Sequence, residues 1–187
     1  MITGQNNLNV DEWLNEKAEH ILKEIGIKEG FKVLDFGCGS GIYTTLISNI
    51  VANRGKVYAL DYNEDKLEEL NSKIKLNNIK NVEIFKTSKQ VSFPIHDSHL
   101  DVILIYDVWH LLSDNERIDF LRESRRTLRK GGFVSYLATH LHESNVNLEK
   151  IHNLMKEKEL ILLEKFNKPM FHWSWIEEVQ IFNYYKK

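Results

Sequence analysis

The run VLDFGCGSG puts an acid, Asp35, at the end of an apolar stretch and then glycines at 37, 39 and 41. Glycines on alternate positions let a backbone turn sharply and come close to a bound molecule, because no Cβ stands in the way. The helix expected after them turns its free N–H groups into the same space. Twenty residues beyond Gly41, Asp61 closes a second apolar stretch, VYALD. An acid there accepts hydrogen bonds from the two hydroxyls of a ribose, so the two motifs together read as a nucleoside-binding site. The dinucleotide fingerprint G-x-G-x-x-G would need a glycine at 42, where Ile42 stands. That spacing weighs against a dehydrogenase. A strand–glycine–helix turn that only packs tightly is the plainer alternative, and Asp61 weighs against it.

A second group of reactive side chains sits in segments expected to be loops. Tyr106, Asp107, Trp109 and His110 follow one apolar run, and His140, His142 and Glu143 follow another. Met170-Phe171-His172-Trp173-Ser174-Trp175 lies between the last two runs. Four of the eight histidines and three of the four tryptophans thus belong to these loops, the remaining tryptophan being Trp13. Histidines can shape a pocket, move protons or sit in solvent; tryptophans can pack a core or wall a flat or cationic ligand. A three-histidine metal site is conceivable, but loops of unrelated spacing rarely converge on one, so no metal is expected. Cys38, inside the glycine motif, is a poor covalent nucleophile.

These residues need a frame. Residues 11–25 carry Leu14, Ala18, Ile21, Leu22 and Ile25 at helical spacing. Strands are expected at 32–36, 56–60, 82–86, 101–106, 133–138, 160–166 and 178–185. Helices are expected at 42–53, from the capping residue Asn63 onward, from the S-x-x-E capping box of Ser113 and Glu116 to Gly131-Gly132, and at 145–158. Strands alternating with helices imply a parallel sheet covered on both faces. The last two strands have no helix between them, so they should pair antiparallel. A ligand of such a sheet sits beyond the carboxyl ends of the strands, which is where both groups of residues fall.

The bulk numbers bound the function. The chain has 187 residues, 42% hydrophobic and 28% charged, with a net charge of −2. That suits a single globular domain and supplies no global field toward nucleic acid or anionic membrane. The segment RESRRTLRK (122–130) could touch RNA, but a solvated helix face is the simpler reading. The single cysteine, Cys38, allows no intrachain disulfide. The polar N-terminal stretch has no signal-peptide core, and no apolar run approaches the ~20 residues of a membrane helix. A cytoplasmic protein is expected.

The motif D-x-G-x-G-x-G with its downstream acid resembles the class I S-adenosylmethionine-dependent methyltransferases. The resemblance continues through VSFPIHDSHLDVILIYDVWHLLSD and LRESRRTLRKGGFVSYL, covering roughly residues 31–138. It is nearest to small methyltransferases of diverse metabolites, including the ubiquinone/menaquinone-type and arsenite-type branches. It implies an α/β fold, a Rossmann-like three-layer sandwich whose seven-stranded, mostly parallel sheet ends in an antiparallel hairpin. It implies one domain, with residues 1–30 as a helical lid and 31–187 as the core. The cofactor would be S-adenosylmethionine, held by Asp35, Gly37, Gly39, Gly41, Asp61, Tyr62, Thr87, Ser88 and Tyr106. Thr87 and Ser88 stand where the family often has an acid for the adenine amino group. The acceptor would be a small molecule in a pocket of Trp13, Trp109, His140, His172 and Trp173, with His110 as the candidate base. Neither a membrane nor a nucleic-acid partner is implied, and the chain would be a monomer or homodimer. An RNA or protein acceptor and a non-catalytic cofactor-binding protein remain the alternatives.

Overall fold

The computed structural model describes residues 9–88, 91–143 and 146–187. The chain enters through α1 (Val10–Glu12), started by the Asn9 side chain accepting from the Asp11 amide, then a π-wound turn (Trp13–Lys17) and α2 (Ala18–Glu24). The alternation follows: β1 (Lys32–Phe36), α3 (Ile42–Val51), β2 (Lys56–Asp61), α4 (Glu64–Leu76), β3 (Val82–Lys86) and β4 (Leu100–Ile105). After a 3₁₀ turn at Trp109–Leu111 come α5 (Asp114–Thr127), β5 (Leu128–Leu137), α6 (Leu148–Glu157), β6 (Leu160–His172) and β7 (Trp175–Lys186). Local chemistry starts the helices as expected. Asn63 caps α4 through the Lys66 amide, and Ser113 with Glu116 forms a complete capping box on α5.

The sheet order is β3-β2-β1-β4-β5-β7-β6. Strands β1 to β5 are parallel, and β7 runs antiparallel to both β5 and β6. Winding goes outward from β1 to β3 and then returns to lay β4 against the other side of β1. The crevice between the ends of β1 and β4 is therefore the topological switch point, where such sheets bind ligands.

Alternate residues of each strand face opposite layers, as the two-residue period of a strand requires. Leu34, Ile103 and Tyr136 pack with Phe120 and Leu121 of α5 and with Ile151 and Met155 of α6. Val33, Val102 and Leu104 pack with Ala18, Ile21 and Leu22 of α2 and Ile47 of α3. The result is a three-layer sandwich. Ala18, Ile21, Leu22 and Ile25 are buried in one of the layers, and the Asn183 amide is fixed to the Ile25 carbonyl at 2.8 Å.

Several boundaries depart from the sequence reading. Helix α5 ends at Thr127, not at Gly131-Gly132, because the chain enters β5 at Leu128, which pairs with Leu100 before a bulge. Gly131, at φ 75°, sits in that bulge. Strand β6 runs through Pro169, where a break was expected. It is the last strand of the sheet, and an edge strand tolerates a residue without an N–H donor. The final helix starts at Leu148, capped by Asn147, and the expected start at 145 lies outside the described residues.

Candidate active site

The loop after β1 is shaped by its glycines. Gly37 and Gly39 hold φ of 75° and 52°, in the left-handed region that side chains disfavour. A Cβ on Gly37 would lie 2.2 Å from Val108 Cγ2, so the loops after β1 and β4 are in contact. A Cβ on Gly39 would meet nothing within 4 Å, which leaves open space over the middle of the loop. Gly41, at φ 81°, starts α3. The Gly37 and Cys38 amides donate to the Leu60 carbonyl at 2.8 and 3.0 Å.

Two carboxylates flank that space. Asp61 accepts from the Gly39 amide at 2.8 Å and, through its other oxygen, from the Asn63 amide at 2.9 Å. Asp35 is buried and accepts from the Thr44 hydroxyl at 2.5 Å. Burial pushes its carboxyl up to about 6, the Thr44 bond opposes this, and the Asp61 charge adds to it. Next to Asp61, Tyr62 is exposed, and the Thr87 amide donates to the Asp61 carbonyl at 2.9 Å. Asp61, Tyr62, Thr87 and Ser88 therefore line the ends of β2 and β3 together. Tyr106 is buried, its ring packed edge-on against Tyr43 and its hydroxyl 2.8 Å from Ser135 Oγ.

The histidines gather at the neighbouring strand ends. Asp107, directly after β4, accepts from Thr139 Oγ1 and pairs with His172 Nδ1, each at 2.7 Å. His140, after β5, pairs through Nδ1 with Glu143 at 2.7 Å. The His110 ring stacks on His140 with centroids 3.7 Å apart, and His172 meets His140 edge-on at 5.0 Å. Burial, then the neighbouring His140, lowers the His110 pKa, which favours its neutral ring. Asp107, His140 and Trp173 all hold positive φ, at 58°, 58° and 55°. Each such residue stores roughly 1–3 kcal/mol of strain, a cost that concentrates at functional sites.

The tip of the β6–β7 hairpin is tied down over this edge. Trp13 Nε1 donates to the Pro169 carbonyl at 2.6 Å and Tyr43 Oη to the Phe171 carbonyl at 2.7 Å. Trp13 is consequently fully buried, and Trp109 is buried against Phe120 and Tyr136. These two expected pocket residues are buried among other side chains. Trp173 is exposed, stacked on His172 at 5.3 Å. A cleft of about 1440 Å³ opens on the hairpin side, lined by Thr139, His140, His142, His172 and Trp175. It lies beside the histidine cluster rather than over the glycine loop.

Among these anchors Tyr43 was absent from the sequence reading, and nothing in its local pattern singles it out. Asp107 was legible only as an acid at a strand end.

This sheet order, with a glycine loop at the switch point and an acid ending β2, is the architecture of a Rossmann-like methyltransferase. The chain belongs to the methyltransferase domain family, whose sequence model matches residues 33–132, more than half of its length. It is 27% identical over 157 residues to a demethylmenaquinone methyltransferase of Lactococcus lactis, which covers 84% of this chain and 61% of that protein. It is 30% identical over 121 residues to the protein of the same name from Staphylococcus aureus, covering 65% of this chain and 48% of that one. The chain thus spans between 48% and 61% of the length of these curated relatives. A SAM-dependent methyltransferase from Aquifex aeolicus superposes with a TM-score of 0.76 at 23% identity, over 94% of this chain and 93% of that one. A TehB-like SAM-dependent methyltransferase from Corynebacterium glutamicum gives 0.71 at 18% identity, over 92% and 89%. These two likenesses show the fold.

The residues fit S-adenosylmethionine. The unobstructed face of Gly39 admits a ligand against the backbone, and Asp61 offers carboxylate oxygens suited to a ribose diol. Asp35 and Asp61 together place negative charge beside the loop, which suits a cationic ligand that carries no phosphate.

Proposed function

We propose that this protein transfers a methyl group from S-adenosylmethionine to a small-molecule acceptor. The observation that carries the reading is the open face of Gly39, flanked by Asp35 and Asp61, in a loop that touches the histidine-bearing segment through Gly37 and Val108. The cofactor supplies an electrophilic methyl on a sulfonium sulfur. Asp61 takes the ribose, the glycine loop takes the methionine part, and Tyr62, Thr87 and Ser88 border the adenine. The cleft beside His140 and His172 admits the acceptor, and the braced hairpin keeps it oriented. Holding two reactants in line is itself a large part of the acceleration. His110 takes the acceptor's proton where the nucleophile must lose one. The relatives named demethylmenaquinone methyltransferase support a small acceptor.

The basic segment 122–130 gives little support to an RNA acceptor. Arg122 pairs with Asp119, Arg125 with Glu159, Arg126 with Asp97 and Glu123, and Arg129 with Asp101. These side chains are already matched by carboxylates, which leaves little positive field for phosphates. No helix of the described residues is long and apolar enough to cross a membrane.

Calorimetric titration with S-adenosylmethionine and S-adenosylhomocysteine tests the reading. Binding of both near micromolar Kd is expected, followed by methylation of a small aromatic acceptor in a screen. Absence of heat with either ligand at millimolar concentration would overturn it.

A further inference from the structure

We propose that His140, His172 and Asp107 form a binding site for a divalent transition-metal ion of the zinc type, on the wall of the cleft. Donor atoms of these three residues lie within 4.8 Å of one another, and those of His110, His140 and Glu143 do as well. His140 belongs to both sets. Its side chain is 6% exposed, and its Nε2 has no hydrogen-bond partner among the described residues. A buried ring nitrogen without a partner is costly, and native interiors rarely leave one so. A metal ion is the partner this nitrogen lacks.

The surrounding pairs have the form that metal sites use. A ligating imidazole commonly gives its other ring nitrogen to a carboxylate, which fixes the ring and its tautomer. Glu143 holds His140 Nδ1 in this way at 2.7 Å, while Asp107, 2.7 Å from His172 Nδ1, stands close enough to share an ion with that nitrogen. Among the described residues neither carboxylate is paired with a lysine or arginine. Positive charge at this spot would therefore meet two unmatched anions. Imidazole with carboxylate suits Zn²⁺ and its neighbours, whereas Mg²⁺ and Ca²⁺ require oxygen donors throughout. His140 and His172 line the cleft, so an ion held there keeps a side open to a small molecule. The left-handed backbone at Asp107 and His140 turns both side chains toward this point at a cost in strain. Loops whose unrelated spacing weighed against a metal site have been brought together by the sheet order.

The test is a titration of the full chain, stripped with a chelator, with ZnCl₂ alone. One equivalent should bind. Loss of an outer partner costs ~10–100-fold in metal affinity, so Glu143→Gln should fall in that range. His140→Ala and His172→Ala should lose more. His99→Ala removes a ring that lies beside His96 and Tyr58, away from the cluster, and should bind as the wild type does. Co²⁺ bound to the unmodified protein should show the visible absorption of a four- or five-coordinate nitrogen–oxygen site, a readout that needs no variant to fold. No stoichiometric uptake by the wild type would overturn the proposal. So would unchanged affinity in His140→Ala and His172→Ala proteins shown by melting to be folded. No cofactor is present in these titrations, so their failure and the failure of the methyl-transfer reading are separate results.

Discussion

Replacing Gly37 with alanine would press directly on the contact that joins the cofactor loop to the histidine segment. The new Cβ would lie 2.2 Å from Val108 Cγ2, with the other two Val108 side-chain carbons at 3.4 Å. The φ of 75° adds the left-handed penalty of a side chain, ~1–2 kcal/mol. Overpacking a filled site adds ~1–3 kcal/mol, so Gly37→Ala should destabilise by ~2–5 kcal/mol. For a domain of this length that lowers Tm by ~4–20 °C. Val108→Ala deletes the offending methyl and leaves only the 3.4 Å approach of its Cβ. The double variant should therefore recover the overpacking part, a coupling of ~1–3 kcal/mol in a double-mutant cycle, while the backbone penalty stays. Urea denaturation of the four proteins measures this, with calorimetry on each folded variant. A Gly37→Ala protein as stable as wild type would refute the reasoning, as would strictly additive effects.

Other substitutions separate binding from stability. Asp61→Ala should weaken S-adenosylhomocysteine binding by ~1–3 kcal/mol, and an unchanged calorimetric Kd would mean the ribose lies elsewhere. Gly39→Val meets open space, so it should fold with a loss of only ~1–2 kcal/mol yet bind no cofactor; a folded variant that still binds would refute the cradle. Glu123 is held below the usual carboxylate range, first by the Arg126 hydrogen bond, with burial opposing. Its contribution is present above its unfolded pKa and lost as pH falls through the folded one, so Glu123→Gln should flatten the acid limb of a Tm-against-pH curve. Asp35 has the opposite sign. Its carboxyl is raised to about 6, so the folded state binds the extra proton and stability falls as pH rises toward that value. Asp35→Asn should melt higher than wild type at neutral pH and bind S-adenosylmethionine less tightly; a lower Tm would show that the buried charge is fully compensated.

The glycine loop and the acid ending β2 were legible because their signals are local. Gly37, Gly39 and Gly41 sit within one turn of chain, and Asp61 ends the very next strand. Such spacing survives any arrangement of the later strands. His110, His140 and His172 are different, since they follow β4, follow β5 and end β6. Nothing in the period of an apolar run says that β7 inserts between β5 and β6, and that insertion swings the hairpin tip over the edge. A strand was expected only to 166, yet Pro169 stays in register opposite Glu178 on the edge strand. The burial of Trp13 and Trp109 was not legible either. An aromatic beside a ligand site and one bracing it from behind look alike until a partner such as the Pro169 carbonyl is visible.

Among the described residues, three of the seven left-handed non-glycine residues lie along one edge of the sheet, where several side chains are anchored. Asp107, His140 and Trp173 adopt left-handed backbone on three separate segments, and Asp35 keeps a buried carboxyl next to them in the same crevice. Arrangements of this kind persist only when the surroundings over-determine them. Here Trp13, Tyr43 and Thr139 do so, each with a hydrogen bond of 2.6–2.7 Å into the hairpin tip or Asp107. The span shared with the family, residues 33–132, contains the glycine loop, Asp61, Asp107 and His110. His140, His172, Trp173 and the hairpin that carries the last two lie beyond it. If the cleft takes the acceptor as proposed, the choice of acceptor should follow the hairpin rather than the loop.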